Sequence, residues 1–149
     1  MNIFRKLKDM SILLVDDDEW IRDALSIYFE SEDCHLSAHD TAEKALAALY
    51  CRNYDIIITD YRLPGMDGIT FLEKIQKSHP SSIKIMITAY PSEGVVRRAK
   101  QAGAQQLIPK PFTSKTIVAC LSRLIDCDGL DTGRDDNLER HQNVDGEVV

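Results

Sequence analysis

The chain has 149 residues, 44% hydrophobic and 28% charged, an ordinary composition for a globular domain long enough to bury one sizeable core. Its formal charge of −6 is concentrated from Asp126 onward, where eight acidic residues accompany two arginines, so residues 1–125 balance to zero and offer no electrostatic footprint for nucleic acid. The four cysteines, Cys34, Cys51, Cys120 and Cys127, form no CxxC pair and point to reduced thiols in the cytoplasm, and no amino-terminal apolar run has the length of a signal peptide or membrane span.

Residues 1–10 read as a short basic lead-in to a domain over 11–125. Ile12-Leu13-Leu14-Val15 is an uninterrupted apolar run, which predicts a strand buried on both faces, and it ends on Asp16-Asp17-Asp18. The period then becomes helical, with Trp20, Ile21, Ala24, Leu25, Tyr28 and Phe29 as the apolar positions, Trp20 and Phe29 expected in the core, and Asp18 as the cap. A less apolar strand over 34–39, suited to a sheet edge, carries His35 and His39, read as surface histidines. Asp40-Thr41 can cap a helix whose apolar face is Ala42, Ala45, Leu46, Leu49 and Tyr50.

Ile56-Ile57-Ile58 predicts the next buried strand, which ends on Asp60, and Pro64-Gly65 and Asp67-Gly68 force the turn after it. A helix over 68–78, a strand over 83–88 ending on Thr88, and a helix over 92–102 follow. The short strand 106–109 contains Pro109 and so belongs at a sheet edge, and a last helix over 113–125 precedes an acidic segment, 126–149, without apolar period, where disorder is expected. Five strand–helix units in alternation predict an α/β, doubly wound, five-stranded parallel sheet with right-handed crossovers and strand order 2-1-3-4-5.

In such a sheet the chemistry lies outside the carboxyl ends of the strands. Asp16 and Asp17, Asp60, Thr88 and Lys110 all fall there. Three carboxylates in one crevice repel each other by roughly 4 kcal/mol per pair at 4 Å and an effective dielectric of 20. A hard divalent cation, Mg²⁺, Mn²⁺ or Ca²⁺, would relieve that repulsion, and a lysine and a hydroxyl beside it suit a phosphoryl group in transfer.

The motifs Val15-Asp16-Asp17, Asp60-Tyr61-Arg62-Leu63-Pro64-Gly65-Met66-Asp67-Gly68, Thr88-Ala89 and Lys110-Pro111-Phe112 occur in order on the expected elements. Over about residues 10–125 the chain resembles the receiver domain of the two-component response-regulator family, with its flavodoxin-like fold. The resemblance implies that Asp60 is the phosphoacceptor from a sensor histidine kinase or phosphotransfer protein, and that Mg²⁺, with Mn²⁺ as a substitute, is held by Asp16, Asp17, Asp60 and the backbone carbonyl of Arg62. It implies that Thr88 and Lys110 bind the phosphoryl oxygens, and that Ala89 keeps the site's rim small. Arg62 and Tyr90 would line the entrance and tune dephosphorylation. Leu107 stands where the family often has an aromatic residue that reports the switch. The helix 92–102, the strand 106–109 and the helix 113–125 would form the output face toward a downstream protein, with Arg97, Arg98 and Lys100 read either as a solvated face or as part of that surface.

Two other functions compete. A non-phosphorylated pseudo-receiver, a pure interaction module, would be expected to lack Asp60, Asp17 or Lys110, and all three are present. A haloacid-dehalogenase-like phosphatase would place a second Asp two residues after Asp60, where Arg62 stands. The reading is thus a signalling receiver that catalyses only its own phosphorylation and dephosphorylation, with no membrane and no direct nucleic acid partner.

Overall fold

A computed structural model of the chain describes residues 2–130, with side chains through Asp126. The described chain divides into two compact units, one ending at Lys110 and one beginning at Pro111. The elements of the first are α1 (Ile3–Leu7), β1 (Ser11–Val15), α2 (Glu19–Ser31), β2 (His35–His39), α3 (Ala42–Cys51), β3 (Ile56–Asp60), α4 (Gly68–Ile75), β4 (Ile83–Thr88), α5 (Glu93–Gln101) and β5 (Gln106–Pro109). The second contains α6 (Ser114–Leu130).

The strands form one parallel sheet in the order β2-β1-β3-β4-β5, as the alternating pattern predicts. The less apolar β2 and the proline-bearing β5 are its edges, where a missing N–H costs no ladder bond. The three central strands are buried along their whole length. Leu13, Val15, Ile57 and Met86 point to one face, where they pack with Ala42, Ala45 and Leu49 of α3, Ile69, Leu72 and Ile75 of α4, and Ala99 of α5. Full burial of each large aliphatic side chain contributes about 1.5–3 kcal/mol.

Side-chain oxygens cap the helices, at Asp18 and Thr41 as the sequence suggests. Asp18 accepts from the Trp20 N–H, Thr41 from Lys44, Asp67 from Thr70 and Ser92 from Val95. Gly103, with φ of +109°, takes the left-handed turn that ends α5. Within the second unit, Thr113 Oγ1 accepts from the Thr116 N–H at 3.2 Å as α6 begins.

Several expectations are corrected. The lead-in contains a helix that the sequence reading did not assign: α1 buries Leu7 and sets Phe4 edge-on to Tyr28 of α2 at 6.1 Å. Trp20 is not a core residue but 83% exposed. The helix turns Leu25 and Phe29, four residues apart, to the interior, and at 100° per residue Trp20 falls off that stripe. Tyr50, assigned to the apolar face of α3, is 93% exposed, because Ala42, Ala45 and Leu49 define the buried side. The helix α4 ends at Ile75, short of Ser78. The last helix continues past Ile125 to Leu130, so the segment expected to be disordered starts as helix, and its remainder lies outside the described residues. His35 is exposed as expected, whereas His39 is half-buried, its Nε2 3.1 Å from Ser37 Oγ. No helix among the described residues is long and apolar enough to cross a membrane.

Candidate functional site

The strand register builds the site. Val15 pairs with Thr59, Asp60 with Ile87, and Thr88 with Pro109. The parallel alignment therefore brings Asp16, which follows β1, level with Asp60 at the end of β3. Lys110 follows β5, and its backbone N–H donates to the Thr88 carbonyl at 2.8 Å, extending the ladder one step.

Carboxylate oxygens of Asp16, Asp17 and Asp60 all lie within 4.8 Å of one another. Asp16 and Asp60 are buried and Asp17 is exposed, so the cluster opens to solvent on one side. Lys110 Nζ lies 2.9 Å from Asp60 Oδ2 and 3.2 Å from Asp16 Oδ2. The Asp16 Oδ1 oxygen accepts the Asp18 N–H at 2.9 Å, whereas its buried Oδ2 has the Lys110 ion pair and no hydrogen bond. Burial, with the Asp60 charge adding to it against the Asp18 N–H and Lys110, pushes the Asp16 carboxyl up to about 6. Burial pulls Lys110 down, but its hydrogen bond to Asp60 and the two carboxylate charges outweigh that and hold it above the usual lysine value. Three clustered carboxylates, one with an unsatisfied buried oxygen, fit a hard divalent cation.

Thr88 is fully buried, and its Oγ1 accepts the Tyr90 N–H at 2.9 Å rather than meeting Asp60. Arg62 is exposed, with its guanidinium carbon 4.6 Å from the centre of the Tyr90 ring. These two side chains join the loop after β3 to the loop after β4. Ala89 is exposed beside them. Leu107 is half-buried, packed against the core and paired with Met86 in the sheet.

Three contributors escape sequence reasoning. Gly68 packs so closely that a Cβ there would stand 2.1 Å from the Asp60 carbonyl oxygen, and its N–H donates to the Tyr61 carbonyl at 2.8 Å. Glycine is a poor helix former, and its place at the start of α4 is the signal that something else requires it. Glu43 of α3 accepts the Met66 N–H at 3.3 Å and steadies the same loop where Gly65 adopts φ of +79°. Arg22 donates from Nη1 to the Asp16 carbonyl at 2.9 Å. A cation in the first turns of a helix works against the dipole, and that is the hint its sequence position offers.

The family model described as response regulator receiver domain matches residues 12–122. Among curated proteins, the chain is 33% identical over 102 residues to a cyclic di-GMP phosphodiesterase of Thermotoga maritima, covering 68% of this chain and 27% of that protein. It is 33% identical over 114 residues to the DNA-binding transcriptional regulator NtrC of Salmonella typhimurium, covering 76% of this chain and 24% of that one. The chain thus spans about a quarter of the length of these relatives. Among solved structures, a CheY-like response regulator receiver domain protein from Methanospirillum hungatei superposes with a TM-score of 0.75 and 32% identity, over 78% of this chain and 94% of that one.

Proposed function

Because this chain belongs to the response regulator receiver domain family, a family of signalling domains, we propose that it is a phosphorylation-controlled switch whose phosphoacceptor is Asp60. The observation that carries this reading is Lys110 Nζ bridging Asp60 Oδ2 and Asp16 Oδ2 at the carboxyl edge of the sheet, with Asp17 beside them. A carboxylate already paired with a lysine has its second oxygen free to attack, and the lysine stands ready for an incoming anion.

In the proposed reaction, an Asp60 oxygen attacks the phosphorus of a phosphohistidine on a sensor kinase or phosphotransfer protein. The P–N bond breaks, an acyl phosphate forms on Asp60, and the imidazole leaves and takes up a proton. Lys110 exchanges its bond to Asp60 for one to a phosphoryl oxygen, which keeps the growing negative charge paired. Thr88 releases the Tyr90 N–H and turns its hydroxyl to the phosphoryl group. Asp16, Asp17, Asp60 and the Arg62 backbone carbonyl would hold Mg²⁺ or Mn²⁺, which supplies charge neutralisation to the transferring phosphoryl oxygens. The domain catalyses its own phosphorylation and dephosphorylation and has no separate substrate.

Access to the acyl phosphate is set by Arg62, Tyr90 and Ala89, whose exposed positions line the entrance. Leu107, half-buried against the core, supplies no aromatic side chain to report the switch, so the report falls to the Thr88–Tyr90 segment, whose Tyr90 N–H is held by Thr88 Oγ1 until that hydroxyl turns to the phosphoryl group. A downstream protein reads that change on α5, where Arg97, Arg98 and Lys100 are exposed. A cytoplasmic location goes with a kinase partner.

The experiment is incubation with acetyl phosphate and Mg²⁺, followed by hydroxylamine. Incorporation of one hydroxylamine-labile phosphoryl group supports the switch. Stable binding of metal without incorporation supports the interaction-module reading, and multiple turnover of phosphate esters supports a phosphatase.

A further inference from the structure

We propose that Arg22 is a positioning residue of the metal centre, which it serves by fixing the backbone between Asp16 and Asp17. The inference rests on the proposed metal-dependent function of the acidic cluster.

The segment Asp16–Asp18 leaves β1 and enters α2 within three residues, and two of those residues contribute to the cluster. The ladder holds Asp16 up to its N–H, which donates to the His39 carbonyl at 3.0 Å. Its carbonyl is taken by the Arg22 guanidinium at 2.9 Å. The same residue's backbone N–H donates to the Asp18 carbonyl at 3.1 Å, so Arg22 closes the loop from main chain and side chain together. From the inside, Asp16 Oδ1 accepts the Asp18 N–H at 2.9 Å. The peptide between Asp16 and Asp17 is thereby clamped on both sides.

Asp17 needs that clamp. Its side chain is exposed, and the backbone of the loop is what aims its carboxylate at Asp16 and Asp60. A long-range charge effect of Arg22 and a positioning effect have opposite signs. A cation near three carboxylates disfavours a second cation, so removing it would tighten metal binding if charge alone mattered. If Arg22 acts by holding the carbonyl, removing it loosens Asp17 and weakens metal binding despite the more negative pocket. The guanidinium fork and length matter in that case, and lysine, with equal charge and a single ammonium nitrogen, replaces them only in part.

The test is Mn²⁺ binding, counted by loss of the free-ion electron paramagnetic resonance signal, for wild type, Arg22→Ala, Arg22→Lys and Asp17→Asn. Thermal unfolding in chelator reports whether each variant folds. The expected result is that Asp17→Asn abolishes tight binding, and that Arg22→Ala raises the dissociation constant by about 10-fold or more, as loss of an outer-shell partner does. Arg22→Lys should fall between wild type and Arg22→Ala. Binding by Arg22→Ala as tight as wild type or tighter, with Asp17→Asn defective, overturns the inference and leaves the metal centre standing. If Arg22→Ala does not fold, Arg22→Lys decides: wild-type affinity overturns the inference, and weakened affinity supports it. Failure of wild type itself to bind Mn²⁺ overturns the metal centre and the inference with it.

Discussion

Lys110 Nζ sits 2.9 Å from Asp60 Oδ2, a contact between residues 50 apart in the chain. The register of β3, β4 and β5 brings the strand ends that carry them together. Lys110→Ala removes a charge-assisted bond worth about 1.5–3 kcal/mol and leaves the buried carboxylates to repel each other. At 1.4 kcal/mol per decade, phosphorylation by acetyl phosphate should slow by about 10- to 100-fold. Stopped-flow measurement at saturating Mg²⁺ checks this, and an unchanged rate contradicts the role given to Lys110.

The two glycines Gly68 and Gly94 should respond oppositely to alanine. At Gly68 the new Cβ meets backbone atoms of Asp60 and Tyr61, which cannot rotate away. Gly68→Ala should destabilise by more than the roughly 1–3 kcal/mol typical of overpacking, and should slow phosphorylation by shifting Asp60. At Gly94, inside α5, a Cβ meets nothing within 4 Å. Gly94→Ala should stabilise by about 0.5–1 kcal/mol through the lower entropy of the unfolded chain and better helix propensity. Urea unfolding of both variants checks the pair.

Lys84 is buried in β4, with Nζ donating to the carbonyls of His79 and Ser82. Burial lowers its pKa below the usual lysine value. The unfolded chain therefore binds more protons than the fold between the two values, and stability from this group rises with pH across that window. Lys84→Met should cost about 1–3 kcal/mol at neutral pH by leaving the carbonyls unpaired. The gap from wild type should widen as pH rises toward 10.5, the ordinary lysine value. A gap that stays constant or narrows in chemical denaturation contradicts the assignment.

The Arg62 guanidinium lies over the Tyr90 ring at 4.6 Å, and the proposed function gives this pair control of access to the phosphorylated site. An exposed cation–π contact is worth about 0.5–1 kcal/mol, so Arg62→Ala or Tyr90→Ala should change the lifetime of the phosphorylated state by roughly two- to five-fold. The two changes together should be less than additive, because either one removes the same contact. Decay followed by intact mass after removal of phosphodonor measures this, and unchanged lifetimes contradict a gating role.

What the residues disclosed in advance, and what they withheld, follows physical lines. Unbroken runs such as Ile56-Ile57-Ile58 specify strands buried on both faces, and polar residues that end such runs must gather at one sheet edge; hence Asp16, Asp60, Thr88 and Lys110 were legible. The α2 helix carries apolar residues on more than one side, so periodicity alone did not say that Leu25 and Phe29, and not Trp20, face inward. The extension of α6 to Leu130 was hidden because a helix can continue where its apolar period stops. Tertiary approach hid the rest. Nothing local shows that Gly68 abuts the Asp60 carbonyl, that Arg22 reaches back to Asp16, or that Thr88 Oγ1 is occupied by the Tyr90 N–H.

Every role proposed at the site depends on Asp60 being the phosphoacceptor. Wild type and Asp60→Asn are treated with acetyl phosphate and Mg²⁺, reduced with borohydride, and mapped by peptide mass spectrometry. Borohydride converts a phosphorylated aspartate to homoserine. Homoserine is expected at position 60 in wild type, none in Asp60→Asn, and none in wild type when chelator replaces Mg²⁺. Homoserine at another aspartate in wild type, or no conversion in a protein shown to bind the metal, contradicts that role of Asp60.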